Sequence, residues 1–305
     1  MRRLTFHLLV ALVTFSIGIA AAMFWVAGRS RTTLQPEVKP VSFVECERSG
    51  AAVDEAVSFK DGRVDYQGVG FSYDTAIFSE VRARTVAANP LEDEFTEKEP
   101  APEHLAFRFT ARGDSLPESR VYPEIFVYPV AEYRRAVAAG PKMTEWVNDA
   151  LAKLKSLLDK QPRSFKGDVP SLPIPDGFYA FRARAKYLDF RNGKGLGFLT
   201  QGQQDVEYIG NDHMTYEFDG LTADGLYYIH AEFPAAHPIL EPESGEDFGS
   251  YVLPNNVFTR QSKQGREYFA YTGRVARRLE QLSPGEFQPD LRVYDALMSS
   301  LEVKR

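Results

Sequence analysis

A chain of 305 residues with 42 Asp and Glu against 36 Lys and Arg is net negative at neutral pH. Setting aside Arg2, Arg3, Arg29 and Arg31 leaves 32 basic against 42 acidic residues in the remainder, a field that repels phosphate backbones and anionic headgroups and excludes nucleic-acid binding as the expected role. The one cysteine, Cys46, rules out an internal disulfide, so the core must hold the fold, which is feasible because chains of this size bury about three quarters of their unfolded surface.

No charged residue interrupts the run from Leu8 to Ala27. A helix of roughly 20 apolar residues crosses a hydrocarbon core of about 30 Å, so this run reads as a transmembrane anchor. A signal segment cut after Ala22 is the competing reading, on the small-x-small pattern of Ala20 and Ala22, but the apolar run continues through Met23, Phe24, Trp25 and Val26. Arg2 and Arg3 favour a cytoplasmic start. The expected organisation is a cytoplasmic N-terminus (1–7), the anchor or signal segment (8–27), a tether with room for an extra strand in "VSFVECE" (28–63), and an extracytoplasmic α+β domain (64–305). The expected location is a bacterial inner membrane, single-pass, with the bulk of the chain periplasmic. Gly18 and Ala22 share the spacing of a small-xxx-small helix contact.

Short strands are expected in "YQGVGFSYD", at 81–87, at 105–110 and in "EIFVYPV" (124–130), with an exposed acidic, proline-containing loop at 89–103. "PKMTEWVNDALAKLKSLLDKQP" is the strongest helix pattern: Met143, Trp146, Val147, Ala150, Leu151, Leu154, Leu157 and Leu158 recur at steps of three and four. Pro141 suits its first turn and Pro162 its end. A β-rich half follows, in which Phe178, Ala180, Arg182, Arg184 and Lys186 alternate with Tyr179, Phe181, Ala183, Ala185 and Tyr187, predicting one wet face. Two amphipathic segments close the chain, the second with Leu291, Tyr294, Leu297, Met298 and Leu301 at helical spacing and Asp290 as N-cap. The fold expected is a mainly antiparallel sheet covered on one face by the 141–160 helix and the C-terminal helices.

Asp224-Gly225 between two alternating runs predicts a hairpin. A loop at Thr222 to Gly225 pairs Glu217 with His230 and Thr215 with Glu232, whereas a two-residue loop at Asp224-Gly225 places Asp219 opposite His230. The faces are the same either way, because the strand period is two. Met214, Tyr216, Phe218, Ile229, Ala231 and Phe233 make an apolar face; Glu217, Asp219, His230 and Glu232 make the polar one. A His beside a carboxylate can act as an acid/base pair, so His230, Glu217, Asp219 and Glu232 are the catalytic candidates. His230 and Glu232, two residues apart on one strand face, are the candidate metal ligands. An exposed cross-strand charge pair is the plainer expectation for the same residues, since no nucleophile or third ligand stands at a recognisable spacing.

Other motifs are weaker. "GKGLG" (193–197) lacks the spacing of a phosphate loop and predicts a hairpin turn, and Ser72 in "GFSYD" lacks the second glycine of a nucleophile elbow. Glu241, Glu243, Glu246 and Asp247 could hold Ca²⁺ but lack its usual loop pattern. His104 and His237 stand apart from other ligand types. No metal or cofactor motif emerges, and none is expected.

The segments "YQGVGFSYD", "YAFRARAKYLDFRNGKGLGFLTQ", "YEFDGLTADGLYYIHAEFPAAHPIL" and "LSPGEFQPDLRVYDALMSSLEV" resemble an uncharacterised family of exported bacterial proteins over roughly residues 64 to 303. The opening strand, central hairpin and final helix also resemble the PsbP-like fold, which implies an antiparallel sheet packed by helices and carries no function across. The expected role is a non-catalytic, membrane-tethered binding or assembly module whose partner is an envelope protein or a small ligand. The alternative is an extracytoplasmic hydrolase using His230 with a neighbouring carboxylate.

Overall fold

The computed structural model describes residues 56–92, 100–165, 169–172, 178–204, 206–242 and 263–304. The first half contains β1 (Val57–Phe59), β2 (Arg63–Tyr66), β3 (Val69–Ser72), β4 (Phe78–Val86), β5 (His104–Ala111), β6 (Glu124–Pro129), α1 (Val130–Ala136) and α2 (Pro141–Lys160). The second contains β7 (Phe178–Tyr179), β8 (Ala183–Phe190), β9 (Gly193–Thr200), β10 (Gly202–Gln203), β11 (Thr215–Thr222) and β12 (Tyr227–Pro234). Helices α3 (Lys263–Glu280) and α4 (Arg292–Ser300) and the short strand β13 (Glu302–Val303) close it.

Eight strands form one sheet in the order β1-β4-β5-β6-β12-β11-β9-β8, with every neighbouring pair antiparallel. A small sheet, β13-β3-β2, ties the chain's end to its first strands. The architecture is α+β. Strand β1 lies within the stretch expected as tether, so regular structure begins by Val57.

The helices lie on both faces of the large sheet, which corrects the expected one-sided cover. Val147, Leu151, Leu154 and Leu158 of α2 pack with Leu196, Phe198, Leu221 and Tyr228 on one face. Tyr268 and Leu279 of α3, with Tyr294, Leu297 and Met298 of α4, pack with Phe218, Ile229 and Phe233 on the other. The reason lies in β11, buried at all eight residues: a strand with no wet side needs a layer above and a layer below. Within α2 the stripe is narrower than expected, because Trp146 points outward and is 54% exposed.

Three local expectations are corrected. "GKGLG" is not a turn: residues 191–192 turn the chain, and Gly193, Gly195 and Gly197 lie inside β9. A Cβ on any of the three would overlap the ring of Phe190, Phe218 or Tyr216 respectively, so glycine here makes room for aromatic packing. The alternation expected from Phe178 to Tyr187 also breaks. Arg184 has φ +56° at a register shift between Ala183 and Lys186, and its guanidinium donates to the carbonyls of Glu280 and Leu282 at the end of α3. A cation at a helix C-terminus is favourable, and the bulge aims it there. Asp290 serves α4 from one residue further out than expected: Leu291 is the N-cap, and Asp290 Oδ1 accepts from the Arg292 N–H at 3.0 Å.

Residues 8–27, Cys46 within "VSFVECE", residues 93–99 of the acidic loop, and Glu243, Glu246 and Asp247 lie outside the described residues. Among the described residues, no helix is long and apolar enough to cross a membrane.

Candidate functional site

The β11–β12 hairpin turns at residues 223–226, with Gly225 at φ +69°, which glycine adopts without strain. The Gly225 N–H donates to the Thr222 carbonyl at 2.8 Å, and the Tyr227 N–H to Thr222 Oγ1 at 3.0 Å. This turn sets the register: Asp219 faces His230, Glu217 faces Glu232, and Leu221 faces Tyr228. It is the second of the two pairings expected; Glu217–His230 and Thr215–Glu232 are not direct partners. The apolar and polar faces fall as the alternation requires.

The polar face is not wet, which corrects the expectation of an exposed charge pair. Asp219 is 0% exposed, Glu217 6% and His230 9%, while Glu232 is half-buried. The hairpin occupies the middle of the sheet, and the 169–172 segment closes over it. Ser171 Oγ donates to Asp219 Oδ1 at 3.1 Å, and the Leu172 N–H donates to the Tyr228 hydroxyl at 2.8 Å. The Tyr228 hydroxyl in turn donates to Asp219 Oδ1, and His230 Nδ1 lies 3.0 Å from that same oxygen. Three groups therefore converge on one oxygen of Asp219. Its other oxygen, Oδ2, is buried with no hydrogen-bond partner among the described residues, and so is Glu217 Oε2.

The electrostatics follow from that enclosure. Burial pushes the Glu217 carboxyl up to about 7, against the pull of His230 and with the repulsion of Asp219. Burial alone would lower the His230 imidazole, but its hydrogen bond to Asp219 and the charges of Asp219, Glu217 and Glu232 outweigh that and raise it to about 9. Loss of solvent also raises Glu232, and raises the Tyr179 hydroxyl, which the charges of Glu217 and Asp219 push further up. Next to this group, Glu124 on β6 faces Glu232 and is paired with Arg108 at 2.6 Å. Phe126 of β6 stacks on the His230 ring, with centroids 6.3 Å apart and planes 15° apart.

The cluster thus favours the charged form of the imidazole, while burial makes Glu217 and Glu232 hold their protons more firmly than exposed carboxyls do. Among the described residues no hydrogen bond engages His230 Nε2, and the side chain retains 11% of its exposure. Nδ1 on a carboxylate with Nε2 left open is the arrangement that orients an imidazole for proton transfer or for a ligand acceptor. Ser171 does not complete a nucleophile–base pair, because its hydroxyl is directed to Asp219. His230 and Glu232 share a face of β12, but among the described residues no three His, Cys, Asp or Glu side chains are placed to hold a metal.

The remaining candidates have local roles. His104 is buried, bonded through Nδ1 to the Pro102 carbonyl at 2.8 Å and packed at a tilt against the Tyr128 ring. His237 Nδ1 accepts from the Ile239 N–H at 3.1 Å. Ser72 is a strand residue whose N–H donates to Ser300 Oγ at 2.9 Å. Tyr228, two residues before His230, shares the polar face by strand alternation, but nothing in its sequence context marks it as functional. Ser171 and Tyr179 carried no local signal, since they reach the cluster only through the fold.

Comparison with family models, curated proteins and solved structures finds no match to this chain.

Proposed function

We propose that this chain is a membrane-anchored, extracytoplasmic binding module that takes a small polar ligand at the polar face of the β11–β12 hairpin. The observation that carries the reading is the pair of orphaned acceptors, Glu217 Oε2 and Asp219 Oδ2. A buried polar atom without a partner costs on the order of 1 to 3 kcal/mol, more when charged, and a ligand that donates to it recovers that cost. Enclosure by the 169–172 segment favours a small molecule over a protein surface as the occupant. The apolar run 8–27 supports the anchor, and the negative balance of the remainder argues against a nucleic-acid partner.

The test is thermal unfolding of the full-length protein in mild detergent against small amines, acids, sugars and nucleosides at pH 7.5. A ligand at 100 times its Kd adds about 2.7 kcal/mol, which raises Tm by several degrees in a domain of this size. At least one class should do so, and Glu217→Gln should remove the effect. If no class moves Tm, the binding reading fails.

A second reading is favoured by the Asp219–His230 geometry: a hydrolase in which His230, protonated at neutral pH, donates from Nε2 to a leaving group. Turnover of ester or phosphoester substrates lost on His230→Ala, in a variant with wild-type circular dichroism, is what this reading expects. Absence of turnover in the wild type would remove it.

A further inference from the structure

Resting on that binding reading, we infer that the ligand is a small organic cation bearing N–H donors, a primary ammonium or a guanidinium, which donates to Glu217 Oε2 and Asp219 Oδ2. Both atoms are acceptors, both belong to side chains more than nine-tenths buried, and both lie on one face of one strand, two residues apart. What the site lacks is therefore donors, and more than one. Charge points the same way. Glu124 has Arg108 at 2.6 Å, whereas above the ionisation of Glu217, as at pH 8, Asp219, Glu217 and Glu232 have the His230 imidazolium as their one ion-pair partner among the described residues. An anion would add to that excess, and a neutral hydroxyl compound would leave it in place. A cation with N–H groups supplies both charge and donors, and charge-assisted bonds of this kind are about twice as strong as neutral ones. The flat ring of Phe126 beside His230 offers an apolar wall for an alkyl stem.

One arrangement without a ligand would also satisfy both oxygens: a proton on Glu217 Oε2 shared with Asp219 Oδ2. The experiment must separate the two. The full-length protein in mild detergent, carrying ¹³C-labelled histidine, is titrated at pH 8 with n-butylammonium, n-butylguanidinium, tetramethylammonium and n-butanol. The first two should bind, raise Tm and shift the titration of His230 to lower pH, because a cation beside an imidazolium disfavours its charge. Tetramethylammonium, which has no N–H, and n-butanol, which has no charge, should bind at least about tenfold more weakly. Glu217→Gln should weaken n-butylammonium on the order of tenfold or more. If that variant misfolds, the wild type still reports: affinity for n-butylammonium should fall as pH drops through the ionisation of Glu217 near 7.

Equal binding of all four probes would overturn the N–H cation while leaving the site. Binding of acids or sugars that is sensitive to Glu217→Gln, with no response to n-butylammonium, would likewise overturn the ligand class and spare the binding reading. No binding by any compound, with an infrared carboxylic-acid band near neutral pH that Glu217→Gln removes, would assign the two oxygens to a shared proton and overturn both.

Discussion

Glu217 and His230 ionise with opposite changes of charge, yet they bias stability in the same direction. The folded Glu217 carboxyl titrates at about 7 against 4.5 when unexposed to the fold, so between those values the native state holds a proton that the unfolded chain releases. Its contribution is fully present below pH 4.5 and is lost as pH rises through 7. His230, raised to about 9 from 6.5, contributes fully below 6.5 and loses that contribution as pH rises through 9. At about 1.4 kcal/mol per unit, each window is worth ~3 kcal/mol, the two being coupled through shared charges. The contribution of these two groups should therefore fall as pH rises from 4.5 to 9, opposed below 6.5 by His104 and His237, whose imidazoles burial lowers, and Glu217→Gln should flatten the part of the decline below 7. Denaturant melts at half-unit pH intervals would check this, and a rise in stability across the range would refute it. Four candidate residues of this cluster were legible in sequence because period-two alternation decides which side chains share a face. Their burial was not legible, since it depends on Ser171, 48 residues before Asp219, and on Tyr179.

At the scale of elements, α2 shows how far periodicity carries. Its span and buried side were readable from steps of three and four, because a helix that covers a sheet must present one apolar stripe. Where the stripe ends was not, because that depends on the curvature and reach of the surface beneath. Leu154, at 0% exposure, should cost about 2 to 5 kcal/mol on truncation to alanine, whereas Trp146→Ala should stay within about 0.5 kcal/mol despite removing a larger side chain. Urea melts of the two variants decide it, and a larger loss from Trp146 would return that residue to the core. The glycines of β9 show the opposite case. Glycine spacing reads as a turn when seen locally, but its cause lies across the sheet in the rings of Phe190, Phe218 and Tyr216.

For the whole molecule, the proposed anchor has a separable consequence. The full-length chain should stay with membranes through an alkaline wash, and a chain beginning after Ala27 should be released; retention of the truncated chain would remove residues 8–27 as the attachment. The sequence by itself determined the α+β class, the chain segments that form most strands and helices, and the two faces of the central hairpin, because periodicity, turn chemistry and charge are properties of neighbours along the chain. Only the tertiary structure decided which layer each helix joins, that the hairpin lies at the centre of an eight-stranded sheet, and that its polar face is enclosed. The physical reason is that solvent access depends on what packs from elsewhere. Asp219 and His230 look like surface charges along the strand, and they become a desolvated cluster once the 169–172 segment and Tyr179 close over them.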